Sequence, residues 1–462
     1  MKLSDASVKK TMTSNTRNTT AAIALIDGEH YPQVIADTLA WLEEDGRYHL
    51  VALVFLGGTE KVSSLDRFEY RGLPLYDGGD MVGNLRRALD SHPADVVLDL
   101  SDEPVLGYRE RFRLISETLA RGVSYRGADF FFQAPALPFL CDKVSIGVWG
   151  TGKRVGKTAL AAHVARRLAA RGLQLCIVTM GRGGPREPEL LGAPPEITDE
   201  YLRGRVRQGR HAASDHFEDA MMADVVAIGC RRCGGGMAGV PFYSNVPEGA
   251  LLACERHSDV VLFEGSGAAN PPVGVDAVAL VASAAQPEEY LLGYLGPYRL
   301  LRSDLLVVTM CEDFLVSSEK LCKLIDGVHA INPEVKVVKT IFRPRPLGDL
   351  SGRRVFLAST APPGALEVKA EHLETVFGAR VVASSPNLAD RDSLAADLDG
   401  ARDAEVLVTE LKAAGVDTVS VYAEKNDKEL VYLENVPVAL DGDLEEEIDG
   451  LEALARRRRE RR

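Results

Sequence analysis

The nine residues Gly150-Thr151-Gly152-Lys153-Arg154-Val155-Gly156-Lys157-Thr158 are the part of this sequence best suited to chemistry. Backbone N–H groups of a glycine-rich turn that opens a helix form a cradle for an anion. Lys157 would then reach the β- and γ-phosphates of a nucleotide, and the Thr158 hydroxyl would coordinate Mg²⁺. The spacing departs from G-x-x-x-x-G-K-[ST]: position 151 is Thr, and the glycine stands one place earlier, at 150. Gly150, Thr151, Gly152, Val155, Gly156, Lys157 and Thr158 are the expected ATP contacts. Such a loop works with an acid at the end of a second strand. Val260-Val261-Leu262-Phe263 reads as a buried strand, and Glu264 emerges at its carboxyl edge, where ligands gather in parallel sheets. Asp259 sits at the opposite end and is not a candidate.

Three Arg/Gly stretches stand out in a chain of 54 basic and 67 acidic side chains, net charge −13. Arg182 and Arg186 follow the strand Leu175–Thr179. Arg203, Arg205, Arg207, Arg210 and His211 form a second stretch, and Arg231 and Arg232 a third. A guanidinium grips phosphate or carboxylate in two-point contacts, so together these suggest a pocket for a polyanion; each stretch alone also reads as a solvated loop. Asp215 and His216 either assist at a site or open a helix that Ser214 caps. Asp27, Glu29 and His30 follow a strand directly and form either a second binding edge or a turn. Cys230 and Cys233 have no second ligand pair nearby, so they read as small buried thiols beside a glycine turn rather than half a zinc site.

These residues need strands that end where they begin. A strand at Val144–Val148 feeds the glycine loop, and a helix from about Lys157 to Arg171 leaves it. Leu160, Val164 and Leu168 give that helix one buried face, and Gly172 is placed to end it. Further strands are expected at Leu175–Thr179, Val260–Phe263, Leu305–Thr309, Val335–Ile341, Val355–Ala358, Val381–Ala383 and Thr418–Ala423. Upstream, strands at Ala21–Ile26 and His49–Phe55, a helix over Pro32–Glu44 and a short apolar run at Asp95–Leu100 suggest a separate α/β unit. The expected fold class is α/β: a P-loop NTPase domain with a mainly parallel sheet flanked by helices, plus a smaller N-terminal α/β domain. The expected divisions are a tail at 1–20, an N-terminal domain at 21–142, a catalytic domain at 143–445 and a charged tail at 446–462. The acidic Asp441–Asp449 and basic Arg456–Arg462 blocks read as a solvated helix and a frayed end.

The sequence has 462 residues, 46% hydrophobic and 26% charged, which is ordinary globular composition and room for two or three domains. The acidic balance argues against general binding of nucleic acid or membrane surfaces. No apolar stretch is long enough to span a membrane, and the first 20 residues lack a signal peptide's hydrophobic segment. The seven cysteines are few and scattered, with no disulfide framework. Together these read as a soluble, cytoplasmic protein.

The loop G-T-x-x-x-V-G-K-T resembles that of dethiobiotin synthetase and the cobyrinate amide synthetases, in the wider class of MinD and ParA. Glu264-Gly265-Ser266-Gly267 is similar to the element in which those synthetases use Glu to help hold Mg²⁺. Ile23–Pro32, Val178–Pro185, Gly209–Ala220, Val261–Gly267 and Val421–Glu429, taken with the loop and in this order, resemble cyclic 2,3-diphosphoglycerate synthetase over about 21–440. That resemblance implies closure of a phosphoanhydride within 2,3-bisphosphoglycerate at the expense of ATP. It implies Mg²⁺ on Thr158 and Glu264, and Lys157 assisted by Lys153 or Arg154 at the transferred group. Arg182, Arg186, Arg205, Arg207 and Arg210, with His211 and Asp215, become the candidate substrate contacts. A potassium requirement and a homodimer are further expectations of the likeness. A carboxylate-activating ligase and a MinD/ParA-like nucleotide switch are the alternatives. The switch proteins carry a Lys six residues before the loop Thr, where this sequence has Gly152.

Overall fold

The computed structural model describes residues 19–61, 69–192, 197–208, 214–412 and 414–462. The chain forms two compact units, 1–134 and 135–462. The division falls before the 142/143 boundary expected from sequence, because Leu137, Leu140 and Cys141 pack into the second unit's core. Among the described residues, no helix is long and apolar enough to cross a membrane.

The first unit runs β1 (Thr20–Ile26), α1 (Pro32–Glu44), β2 (Tyr48–Phe55), β3 (Leu75–Tyr76), α2 (Met81–Ser91), β4 (Val96–Asp99), α3 (Tyr108–Ala120), β5 (Ser124–Arg126) and β6 (Phe131–Phe132). Its sheet order is β3-β2-β1-β4-β5-β6, parallel except at β6. β2 and β3 are added on one side of β1, then β4, β5 and β6 on the other. Right-handed crossovers therefore put α1 and α3 on opposite faces. Pro32 opens α1 with a fixed φ, and Ile35, Leu39 and Leu42 bury against Ala22, Ala24, Ile26 and Leu98.

The second unit starts with β7 (Val144–Gly150), α4 (Lys157–Ala170), β8 (Leu175–Gly181), β9 (Glu189–Leu191), α5 (Asp199–Arg207), α6 (Asp215–Ala223), β10 (Val226–Cys233) and β11 (Tyr243–Ser244). It continues through β12 (Val260–Glu264), β13 (Ala277–Ser283), β14 (Leu305–Thr309), β15 (Lys336–Pro346), β16 (Arg354–Ala358), β17 (Arg380–Ser385), β18 (Val406–Glu410) and β19 (Glu429–Ala439). One sheet runs β11-β10-β8-β12-β7-β13-β14-β15-β19-β18-β16-β17, with β9 on β10. From β10 to β15 it is parallel; β19 then pairs antiparallel with β15, and the strands beyond are parallel to β19. Its central strands are buried throughout, as expected of a parallel sheet covered on both faces.

Two expectations fail here. Thr418–Ala423 is not a strand but part of a continuous helical stretch, Gly415–Val419 with π geometry and Ser420–Lys425 with α geometry. Val416, Val419, Ser420 and Ala423 are its buried side chains, and that three-to-four-residue spacing is helical. The C-terminal acidic block is helical as expected but buries one face, and the basic block is not a frayed end. They form a helix, Leu444–Arg461, with Asp443 as N-cap and Leu444, Ile448, Leu451 and Ala455 in the core. Its arginines also dock: Arg458 on Asp304 at 2.7 Å and Arg459 on the Asp142 carbonyl at 2.7 Å. Acid at the helix start and base at its end also suit the helix dipole.

Ile448→Ala should therefore cost about 3 kcal/mol, read as a lower denaturation midpoint. Arg461→Ala, at an exposed position, should leave the midpoint unchanged. Equal, negligible effects would mean that the helix does not dock.

Candidate active site

β7 ends at Gly150, the loop crosses 151–156, and α4 starts at Lys157. Gly156 has φ +97°, and a Cβ there would lie 2.3 Å from Phe342 Cζ. No other residue fits that turn without displacing the aromatic ring. A Cβ at Gly152 would lie 2.6 Å from Gln286 Nε2. Thr151 is tied down from both ends: its N–H donates to Val281 O at 3.0 Å and its hydroxyl to Gln286 Oε1 at 2.8 Å. The Val155 carbonyl accepts from Thr309 Oγ1 at 2.8 Å. Lys153 and Arg154 are exposed at the tip, Arg154 with φ +60°.

Lys157 is buried and curls over the loop, its Nζ donating to Gly152 O at 2.8 Å. Burial lowers its pKa, and the neighbouring Glu264 and Asp215 oppose that shift. Thr158 Oγ1 donates to Glu264 Oε1 at 2.7 Å, joining the start of α4 to the end of β12. Glu264 Oε2 is buried without a hydrogen-bond partner. Asp219, on α6, accepts from Thr179 Oγ1 with Oδ2, and its buried Oδ1 is likewise unpartnered. Burial and the proximity of Glu264 raise the Asp219 pKa. The two buried carboxyls lie within hydrogen-bond reach of each other, so their free oxygens are unsatisfied only when both are ionised; beside a hydroxyl they form an all-oxygen donor set, which suits a hard divalent cation.

The predicted arginines separate into two groups. Arg182, exposed just past β8, comes within reach of the loop after β12: a Cβ at Gly267 would meet its Nη2 at 2.7 Å and Arg232 Nη2 at 3.3 Å. Lys157 feels both guanidinium groups. Arg186 is exposed, and its carbonyl accepts from Asn245. Arg205 is held by Glu189 at 2.6 Å and lies over the Phe217 ring at 4.7 Å. Arg207 pairs with Glu424 at 3.0 Å. Arg210 and His211 lie outside the described residues. Asp215 begins α6 and acts electrostatically on Lys157, Glu264 and Asp219. His216 is buried against Glu189 at 3.4 Å; its bond and Arg205 hold the Glu189 carboxyl down to about 2. Cys230 is a buried thiol that burial pushes up to about 12, in keeping with a packing role, whereas Cys233, at the end of β10, is exposed and not buried as expected.

Sequence reasoning missed Asp219, Arg232 as a neighbour of the loop, Gln286 and Phe342. Asp219 stands four residues after Asp215, on the same helix face, and that spacing was its one available signal. Gln286 and Phe342 reach the loop from 130 residues or more away in sequence, and no local pattern marks them.

Burial, followed by the Asp215 charge, pushes the Glu264 carboxyl up to about 8, while Thr158 and Lys157 work the other way. An acid whose folded pKa exceeds its ordinary 4.5 binds its proton more tightly in the native state. Its stabilising effect is full below pH 4.5 and is lost as pH rises through 8. Metal-free protein should lose stability across that window in chelator-buffered denaturation, with a smaller slope in Glu264→Gln. Equal slopes would contradict this account.

Three family models for cyclic 2,3-diphosphoglycerate synthetase match the chain: the N-terminal domain over residues 21–133, the P-loop domain over 145–341 and the C-terminal domain over 346–436. A protein of that name from Rubrobacter xylanophilus is 47% identical over 423 residues, covering 91% of this chain and 95% of the relative. One from Thermococcus gammatolerans is 50% identical over 423 residues, covering 91% and 94%. One from Methanothermus fervidus is 42% identical over 428 residues, covering 91% and 93%. With its loop, its acid partner and nearly its whole length accounted for, this chain belongs to the cyclic 2,3-diphosphoglycerate synthetase family.

Proposed function

We propose that this chain uses ATP to close the intramolecular phosphoanhydride of 2,3-bisphosphoglycerate, releasing ADP and phosphate, with Mg²⁺ on Thr158 and Glu264. The observation that carries the reading is the Thr158–Glu264 contact beside the curled Lys157, with Glu264 Oε2 left unpartnered. When bound, Mg²⁺ supplies charge neutralisation at the ATP phosphate oxygens.

The substrate brings both nucleophiles, so the protein needs none of its own. The γ-phosphoryl of ATP is transferred to one substrate phosphate. The other substrate phosphate attacks that activated phosphorus, a P–O–P bond forms, and inorganic phosphate leaves. The chain's part is positioning and charge. Lys157 leaves the Gly152 carbonyl to meet the transferred group, and the loop N–H groups hold the remaining phosphates. Lys153 or Arg154 assists Lys157 at the transferred group, and the exposed Arg182 and Arg186 grip the substrate's phosphates and carboxylate. Arg205 and Arg207 are held by Glu189 and Glu424, so in this reading they steady α5, and any substrate contact by them requires those pairs to open. Potassium dependence, expected from the family likeness, belongs to the same proposal.

Phosphate release from ATP, with and without 2,3-bisphosphoglycerate, in Mg²⁺ and K⁺, tests the reaction. Stimulated release with a new phosphoanhydride signal by phosphorus NMR, both lost in Lys157→Ala, is the expected result. Release indifferent to the substrate would overturn it. Arg182→Ala should raise KM for the bisphosphoglycerate by about tenfold or more, the worth of one charge-assisted contact. An unchanged KM would remove Arg182 from the site.

A further inference from the structure

The first unit has a cavity of its own. It measures about 630 Å³ and runs along α1 from the carboxyl ends of β1, β4 and β5 toward Arg47 and Tyr48 at the start of β2. Its position follows from the topology. β1 and β4 are the adjacent strands from which the chain winds in opposite directions, and in open parallel sheets that point leaves a crevice. Leu98 of β4 pairs with Arg126 of β5, so Arg126 lies on the same face as Leu98, the face that α1 covers. α1 shelters Ile26 and Leu98 but stops short of β5, and the gap is the groove.

The walls are chemically divided. Ile26, Leu98 and Leu100 make an apolar floor, and Trp41 of α1 stands at its side, 59% exposed. The polar groups converge at the strand ends. His30 Nδ1 is held at 2.8 Å by Asp27, a carboxylate that is 1% exposed and also accepts the Asp102 N–H at 2.7 Å. That pairing fixes the imidazole and leaves Nε2 for a ligand. Arg126 is exposed in the groove with no recorded hydrogen bond or ion pair for its guanidinium among the described residues. The other charges are accounted for: Asp99 is held by Arg111 at 2.9 Å and by Tyr125, and Arg47 is held by Asp45. Asp102 is exposed at the rim.

We propose that this groove binds a mononucleotide-sized anion, with its phosphate on Arg126 and His30 Nε2 and its planar base along Trp41 and the apolar floor. The Asp102 carboxylate suits a ribose diol, the role that acids play beside strand ends in nucleotide-binding sheets. A cavity of this size, mostly apolar with a few convergent polar groups, is the usual form of a small-ligand site. None of these residues belongs to the loop at 150–158, so the site is additional to the one that binds ATP.

Trp41 reports on it directly. The sequence has two tryptophans, and the other, Trp149, is 1% exposed in the second unit's sheet. AMP is the probe, added to the full-length protein and to Lys157→Ala, in which the phosphate loop is disabled. The expected result is a saturable change in tryptophan emission, equal in both proteins. It should move to at least tenfold higher AMP in Arg126→Ala, whose synthetic activity at saturating substrates should stay that of the wild type. No saturable change at millimolar AMP overturns the proposal. So does a change that survives Arg126→Ala, or one that inorganic phosphate reproduces at the same concentration, because then the base contributes nothing.

Discussion

A carboxylate sealed at the end of a parallel sheet is costly unless something satisfies it, and Glu264 is satisfied on one oxygen only. That oxygen is bound by Thr158, the second residue of α4, so the helix that follows the phosphate loop is fixed to the strand beside it. Much of the second unit serves that contact. β7 and β12 are neighbours, with Val148 opposite Glu264. α6 brings a second acid to the same place from another direction. The unmet oxygens store an affinity for positive charge that packing alone leaves unanswered.

The loop and Glu264 were legible because their chemistry is local: glycines, a lysine and a hydroxyl within nine residues, and an acid directly after four apolar ones. Strands of mixed or small residues were harder to read. Ala277–Ser283 is a fully buried central strand, but half its residues are too small to signal one. Thr418–Ala423 has the β-branched residues of a strand but buries on a helical period, and tertiary packing decided between them. The C-terminal helix misled through its charge. Eighteen residues rich in Glu and Arg read as solvated, although Leu444, Ile448, Leu451 and Ala455 mark one buried stripe.

The arginines show a different limit. Composition correctly flagged an excess of guanidinium groups on glycine-rich segments, but a sequence cannot tell an available cation from one already answered. Arg205 has a carboxylate and an aromatic face waiting for it in Glu189 and Phe217. Arg231 holds the carbonyl of Pro185, and Arg232 that of Ser266. These contacts shape the loops around the phosphate site. Arg182 differs because its strand ends beside β12, one strand away from the phosphate loop, and leaves its side chain exposed.

The antiparallel join between β15 and β19 gives the second unit an indivisible character. β19 lies between β15 and β18, so the stretch matched by the C-terminal family model, residues 346–436, shares its sheet with the phosphate-binding half. Arg166 on α4 and Arg345 on β15 both pair with Glu434 on β19, and Phe342, also on β15, closes on Gly156. Cutting the chain at 345 would strip β15 of its partner and leave a long unpaired edge, an invitation to aggregation. The segment that one family model matches by itself is, by its strand pairing, continuous with the sheet that carries the phosphate loop.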